Sequence, residues 1–323
     1  MNTKKLLPKA AGLAVLGLLL AGCSPAADEA PEETTGGSST GSDTIVVHGG
    51  QDGSVEFEVT VDPELAARAE GLLIGDGLSL VTKAGAPPYG FFEDGTQTVR
   101  GSDIDLGTAI GAKLGLETEF TVLEFAGIIP GIEANRFDFS IAGMGDTPAR
   151  QEMVDFVDYS TDSNSIVTTK GNPHDIDGIE SLCGLNISSV EGSVYLGLLE
   201  QQNESCADKM NITVFQDNAS ALLQVQTGRA DATMYQTGVA LYLIKTDEAS
   251  KNLEVVDSEE YGKGYNAIAF NKDNAELRDL VRDVVEALVD DGVYEAIHLE
   301  WGLTSNMIDE ITINDGLRFN QPS

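Results

Sequence analysis

Basic side chains are scarce in this sequence. Lysine and arginine together number 19 against 53 aspartates and glutamates, giving a formal net charge of −34. No basic stripe is present to neutralise a phosphate backbone, so a nucleic-acid partner is excluded. Unaided adsorption to an anionic membrane surface is excluded on the same ground. Histidine occurs only at His48, His174 and His298, with no ligand spacing to one another or to a cysteine. No metal and no cofactor is therefore expected. Glycine-rich phosphate loops are missing, as are G-x-S-x-G, H-E-x-x-H and C-x-x-C, and the case for catalysis is correspondingly thin. What the sequence does have is length and balance. Its 323 residues are 41% hydrophobic, enough for roughly two domains with buried cores.

The one long apolar run lies at the start, in MNTKKLLPKAAGLAVLGLLLAGC. Lys4, Lys5 and Lys9 precede it and small residues follow it, the pattern of a cleaved export signal over residues 1–22. It is too short and wrongly flanked for a membrane span. Leu20-Ala21-Gly22-Cys23 resembles a bacterial lipobox, which implies cleavage before Cys23 and a lipid on its sulfur. The mature chain is thus expected outside the cell, anchored to the outer face of the membrane. Residues 23–43, rich in Ser, Gly, Thr, Pro and acid, read as a disordered tether. Cys183 and Cys206 remain, and an even pair in an exported chain reads as a disulfide, with metal binding the weaker alternative. The Asn-x-Ser/Thr triplets at Asn186, Asn203, Asn211 and Asn218 read as chance.

Residues 44–76 form an N-terminal extension, a short hairpin followed by a helix opening at Asp62-Pro63. Beyond it, strands such as GLSLVTKA and FDFSIAGM alternate with amphipathic helices, ending in a long helix from Ala275 to Asp290. That alternation predicts an α/β fold with mostly parallel sheets, and ligands at strand C-termini or between two domains. In AGMGDTPAR, Asp146 or Thr147 suits a helix N-cap and Pro148 the first turn. A strand, a tight turn, a helix start and Arg150 together make an anion site.

GSDIDLGTAIGAKLG, Gly101 to Gly115, resembles the signature of the family 3 solute-binding proteins of ABC importers, with Ser102 departing at one place. The two acids within it also read locally as helix N-terminal charges. The resemblance runs from about Gly77 to Leu303, through APPYGFFEDG, EFAGIIPGIEANRFDFSIAGMGDTPARQEMVDF, GRADATMYQTG and GYNAIAFNKDNAELRDLVRDVVEAL. The cysteine placement is similar to that of exported actinobacterial members. Membership implies a two-lobed, periplasmic-binding-protein-like (type II) fold with the ligand cleft between lobes. Lobe 1 is then residues 77–165 and 266–323, and lobe 2 residues 166–265. It implies a monomer that closes by a hinge and delivers its ligand to an ABC permease.

The resemblance also assigns roles. Arg150 pairs bidentately with a ligand carboxylate, backbone at Ala142, Gly143 and near Ser193 completes the clamp, and Phe125 packs on the ligand. Departures concern the other end. Gln236 stands where the family usually has the Asp that holds an α-ammonium. Lys83 replaces a frequent acid and Ala86 an aromatic. Gly145 lacks a usual hydroxyl, and Val190 replaces a frequently polar side chain. A buried ammonium without a carboxylate is costly, so the expected ligand is a carboxylate-bearing solute other than an ordinary basic or neutral amino acid, with Lys83 and Arg150 bracketing a dianion. The alternative is that Asp103, Asp146 or Glu191 takes over the ammonium. Two rival functions stay open: a secreted dehydratase on a cyclic carboxylate, using Glu124, Asp146 or Glu191 as acid or base, and a sensor working with a separate signalling partner.

Overall fold

The computed structural model describes residues 43–256 and 260–319. The export signal, Cys23, the tether up to residue 42 and the last four residues lie outside the described residues. The extension is the expected hairpin, β1 (Thr44–Gly49) against β2 (Val55–Thr60), then α1 (Pro63–Ala69). The Asp62 carboxylate caps α1 by accepting from the Glu64 and Leu65 amides.

The alternating series follows. It begins with β3 (Leu78–Thr82), the ribbon of β4 (Phe91–Phe92) and β5 (Val99–Arg100), α2 (Ser102–Lys113), β6 (Thr118–Val122), α3 (Ile128–Glu133), β7 (Phe139–Gly145) and α4 (Pro148–Gln151). The long strand β8 (Val154–Thr169) leads to β9 (Asn186–Val190), α5 (Val194–Ser205), β10 (Asn211–Phe215), α6 (Asn218–Gln226), β11 (Ala232–Gln236), α7 (Thr237–Thr246) and β12 (Leu253–Val255). A second long strand, β13 (Tyr261–Asn271), then precedes α8 (Ala275–Asp290), α9 (Val293–Glu300) and β14 (Thr312–Ile313).

The main sheet runs β10-β9-β11-β8-β13-β7-β3-β6, with β12 and β14 also pairing β8. It is mixed rather than mostly parallel. Pairings at the two ends are parallel, β9 with β10 and β11, and β3 with β6 and β7. In the middle, β8 and β13 pair antiparallel with each other and with their outer neighbours, β11 and β7. The physical reason is length. At about 3.3 Å per residue, the 16-residue β8 reaches from one end group to the other, and β13 returns beside it. Alternation predicts the parallel βα units but not the direction of a strand long enough to serve both.

Helices bury one face against each end. On α8, Leu277, Leu280, Val281, Val284, Val285 and Leu288 are buried, the i, i+3, i+4, i+7 stripe expected of a core-facing helix. The β9–β11 end has its own core around Ile166, Leu182, Ile187, Leu199, Ala232 and Met234. There Cys183 and Cys206 form the disulfide, worth about 3 kcal/mol for a loop of this size. Both acids of the α2 start prove to be buried connectors. Asp105 accepts from the Gly50 amide and the Trp301 indole, fixing the hairpin and α9. Asp103 accepts from the Tyr159 hydroxyl at 2.7 Å.

Candidate functional site

Where the end groups of the sheet meet, a cleft of about 170 Å³ opens. Its first anchor forms as expected from the chain. The Thr147 side chain caps α4 by accepting from the Arg150 amide, and Pro148 takes the first turn. The guanidinium of Arg150 is buried. One nitrogen donates to the Gly145 carbonyl at 2.7 Å and the other to the Gly192 carbonyl at 2.9 Å, reaching from the β7 end to the turn before α5. Burial lowers its pKa to about 10, so it stays charged at neutral pH. Ser193 caps α5, accepting from the Leu196 amide and donating to the Val190 carbonyl, which turns the positive end of a 12-residue helix toward the cleft.

The second anchor is not local. Lys83, just past β3, is buried and donates to the Gln236 side-chain oxygen at 3.3 Å. Gln236 closes β11 on the other side, and its amide nitrogen donates to the Gly143 carbonyl at 3.2 Å and to Asn266 at 3.3 Å. Gly143 holds a φ of +51°, a left-handed backbone that presents its carbonyl to Gln236. The Phe125 ring centre is 4.8 Å from the Lys83 ammonium and 5.3 Å from the Arg150 guanidinium carbon. Burial pushes the Lys83 pKa down to about 8.

The cleft therefore gathers Lys83, Phe125, Gly143, Gly145, Arg150, Val190, Ser193 and Gln236. Two residues named with them do not line it. Ala142 is buried in the strand, and Ala86 is a core residue hydrogen-bonded to Gly90, while Ala84 takes the place beside Lys83. A hydroxyl-less Gly145 leaves its carbonyl to Arg150 instead. Asp146 lines the cleft but is engaged by the Gln151 amide at 2.8 Å and the Gly316 backbone at 2.8 Å. Asp103 accepts from the Tyr159 hydroxyl and is near enough to Lys83 to feel its charge, and Glu191 is exposed, accepting from Gln216.

Sequence reasoning missed two contributors. Asp162, inside β8, lines the cleft and accepts from the Tyr89 hydroxyl at 2.6 Å and the Ser163 amide at 2.8 Å. Burial raises its pKa. The second is the C-terminal segment. Gly316 forms part of the wall, and a Cβ there would sit 2.4 Å from the Asp146 carbonyl oxygen. That segment is tied down by Asp158, which accepts from Thr312 at 2.8 Å and the Asp315 amide at 3.1 Å. Burial pushes Asp146 and Asp158 above the ordinary carboxyl range, and the Asp146 charge pushes Asp158 further. One proton held between the two carboxyls would satisfy both. No local signal marks either contributor, because Asp162 meets Tyr89 across 73 residues of chain and Gly316 meets Asp146 across 170.

Residues 78–304 match the family described as bacterial extracellular solute-binding proteins, family 3. The arginine-binding extracellular protein ArtP of Bacillus subtilis is 28% identical over 69% of this chain and 85% of its own length. The arginine-binding protein ArgT of Corynebacterium glutamicum is 25% identical over 83% of this chain and 88% of its own. Among solved structures, an ancestral arginine-binding protein bound to arginine superposes with a TM-score of 0.65 at 31% identity, covering 71% of this chain and 99% of that one.

Proposed function

The chain belongs to the bacterial extracellular solute-binding proteins, family 3, and we propose that it captures a small, carboxylate-bearing, amino-acid-like solute and delivers it to an ABC permease. One observation carries the reading. Arg150 is buried at 8% exposure, yet among the described residues it has no carboxylate within ion-pair distance and bonds only backbone carbonyls. A guanidinium offers five donors, and those left over face the cleft beside the N-terminus of α5, an arrangement that favours a carboxylate. The names of the relatives supply the amino-acid frame.

Capture works by closure. We take residues 77–165 with 266–323 as one lobe, residues 166–265 as the other, and β8 with β13 as the hinge. Arg150 to Gly192 and Lys83 to Gln236 are bonds between the lobes, so a ligand held by these same groups favours the closed arrangement by its differential affinity. Binding without turnover is the reading the acids support. Glu124 and Glu191 are exposed, and Asp146 is bonded by Gln151 and Gly316 and turned to Asp158, an arrangement that favours a structural part for it over proton transfer to a ligand. The chain works as a monomer, exported and held to the outer membrane face by lipid on Cys23. Among the described residues no helix is long and apolar enough to cross a membrane.

Isothermal titration of the purified protein against amino acids and short carboxylic acids tests capture. Saturation at 1:1 by a carboxylate, abolished in Arg150→Met, is the expected result. Binding that survives Arg150→Met overturns it. Release of the protein from membranes by Cys23→Ser checks the anchor.

A further inference from the structure

We infer that the cleft is built for a short ligand carrying two carboxylates, the first on Arg150 and the second on Lys83. The inference rests on the capture reading above and names its substrate class.

The cleft is asymmetric in how its charges are satisfied. Its buried acids are already bonded by protein donors. Asp162 takes the Tyr89 hydroxyl and the Ser163 amide, and Asp146 takes Gln151 and Gly316. Its two buried cations are not so matched. Arg150 meets carbonyls, and Lys83, at 7% exposure, meets one amide oxygen and an aromatic face. Neither has a carboxylate within ion-pair distance among the described residues. Asp103 and Asp162 face Lys83 from beyond ion-pair distance, and an ammonium brought out of water this far is still costly without an anion in contact.

Gln236 sets the polarity of that end. Both hydrogens of its amide nitrogen are used, on Gly143 and Asn266, so its oxygen is turned to Lys83 and holds the ammonium toward the cleft. An α-ammonium or a guanidinium placed there would meet a like charge. Both cations lie near one ring, Phe125, so their separation is at most the two ring distances laid end to end. A short chain with an acid at each end fits within that limit.

The experiment is a titration of the purified protein at pH 7 with glutarate, L-glutamate, L-glutamine and L-arginine. Glutarate or glutamate is expected to bind at least tenfold tighter than glutamine and arginine, and Lys83→Met to lower the glutamate-to-glutamine preference at least tenfold. A wild-type series with glutarate provides a second readout that needs no variant. Lys83 faces Asp103, Asp162 and Arg150, and of these four groups it alone loses charge just above neutrality. Glutarate affinity should therefore fall as pH rises through 8 toward 10. Tightest binding of glutamine or arginine, abolished by Arg150→Met, overturns the two-acid ligand and leaves capture standing. Flat glutarate affinity from pH 7 to 9.5 also overturns it. No binding by any of the four overturns the two-acid ligand, and capture is then decided by the wider titration above.

Discussion

The two ends of the cleft hold their cations by different means. At one end Arg150 sits a few residues from the carbonyl that grips it, on a helix whose cap and first turn are written in adjacent residues. At the other, Lys83 is held by Gln236 from 153 positions away, and Gln236 is itself oriented by Gly143 and Asn266. The first end is a local device apart from its bond to the Gly192 carbonyl, 42 residues on. The second exists only once β3, β7, β11 and β13 are assembled. Substitutions at the Arg150 end should therefore act on affinity for any carboxylate. Those at the Lys83 end should act on which carboxylate is preferred.

Breaking the local end should have the largest effect. Removing one partner of a buried charge pair costs about 2–5 kcal/mol, so Arg150→Met should weaken every carboxylate ligand by at least a hundredfold in calorimetry. Gln236→Asp acts on the assembled end. A carboxylate beside Lys83 would neutralise it and free a site for a cation. Dicarboxylate affinity should fall on the order of tenfold, and L-arginine should gain over glutarate. Unchanged preference would show that the two ends do not divide the work.

The Arg150 end also rests on the Asp146–Asp158 pair, which gives it a pH dependence of stability. The Asp158 carboxyl is raised in the folded state, to about 8. Its protonation supports the fold below the ordinary carboxyl value, and that support is lost as pH rises toward 8. Asp158→Asn keeps an acceptor for Thr312 and the Asp315 amide and supplies the N–H that Asp146 needs. Denaturant unfolding of this variant should show a flatter stability profile between pH 4 and 8 than the wild type. A steeper one would exclude the shared proton. The smallest effect is expected from the ring common to both ends. Phe125→Leu keeps the packing and loses the π face, for about 1 kcal/mol and a few-fold in affinity. If it weakens glutarate and glutamine equally, the ring serves both cations alike.

Much of the fold was legible in the sequence. Asp62-Pro63 opened α1, Thr147-Pro148 opened α4, and the apolar stripe from Leu277 to Leu288 marked α8, because capping and periodicity act over one or two turns. The cysteine pair was legible because an exported chain rarely leaves two thiols free. Arg150 was legible for the same local reason as its helix. The sheet directions were not, since β8 and β13 serve both end groups and their pairing depends on where the chain returns. Ala86 was misplaced beside the cleft because the chain turns back at Gly90 and buries it. Asp162 and Gly316 gave no signal at all. An acid in mid-strand and a glycine near the C-terminus acquire a role only by meeting Tyr89 and Asp146 in space. Short-range hydrogen bonding and hydrophobic period thus fixed which elements form and where Arg150 sits. Contacts between groups far apart in the chain, which carry no periodicity to read, decided how those elements pair and what the rest of the cleft presents to a ligand.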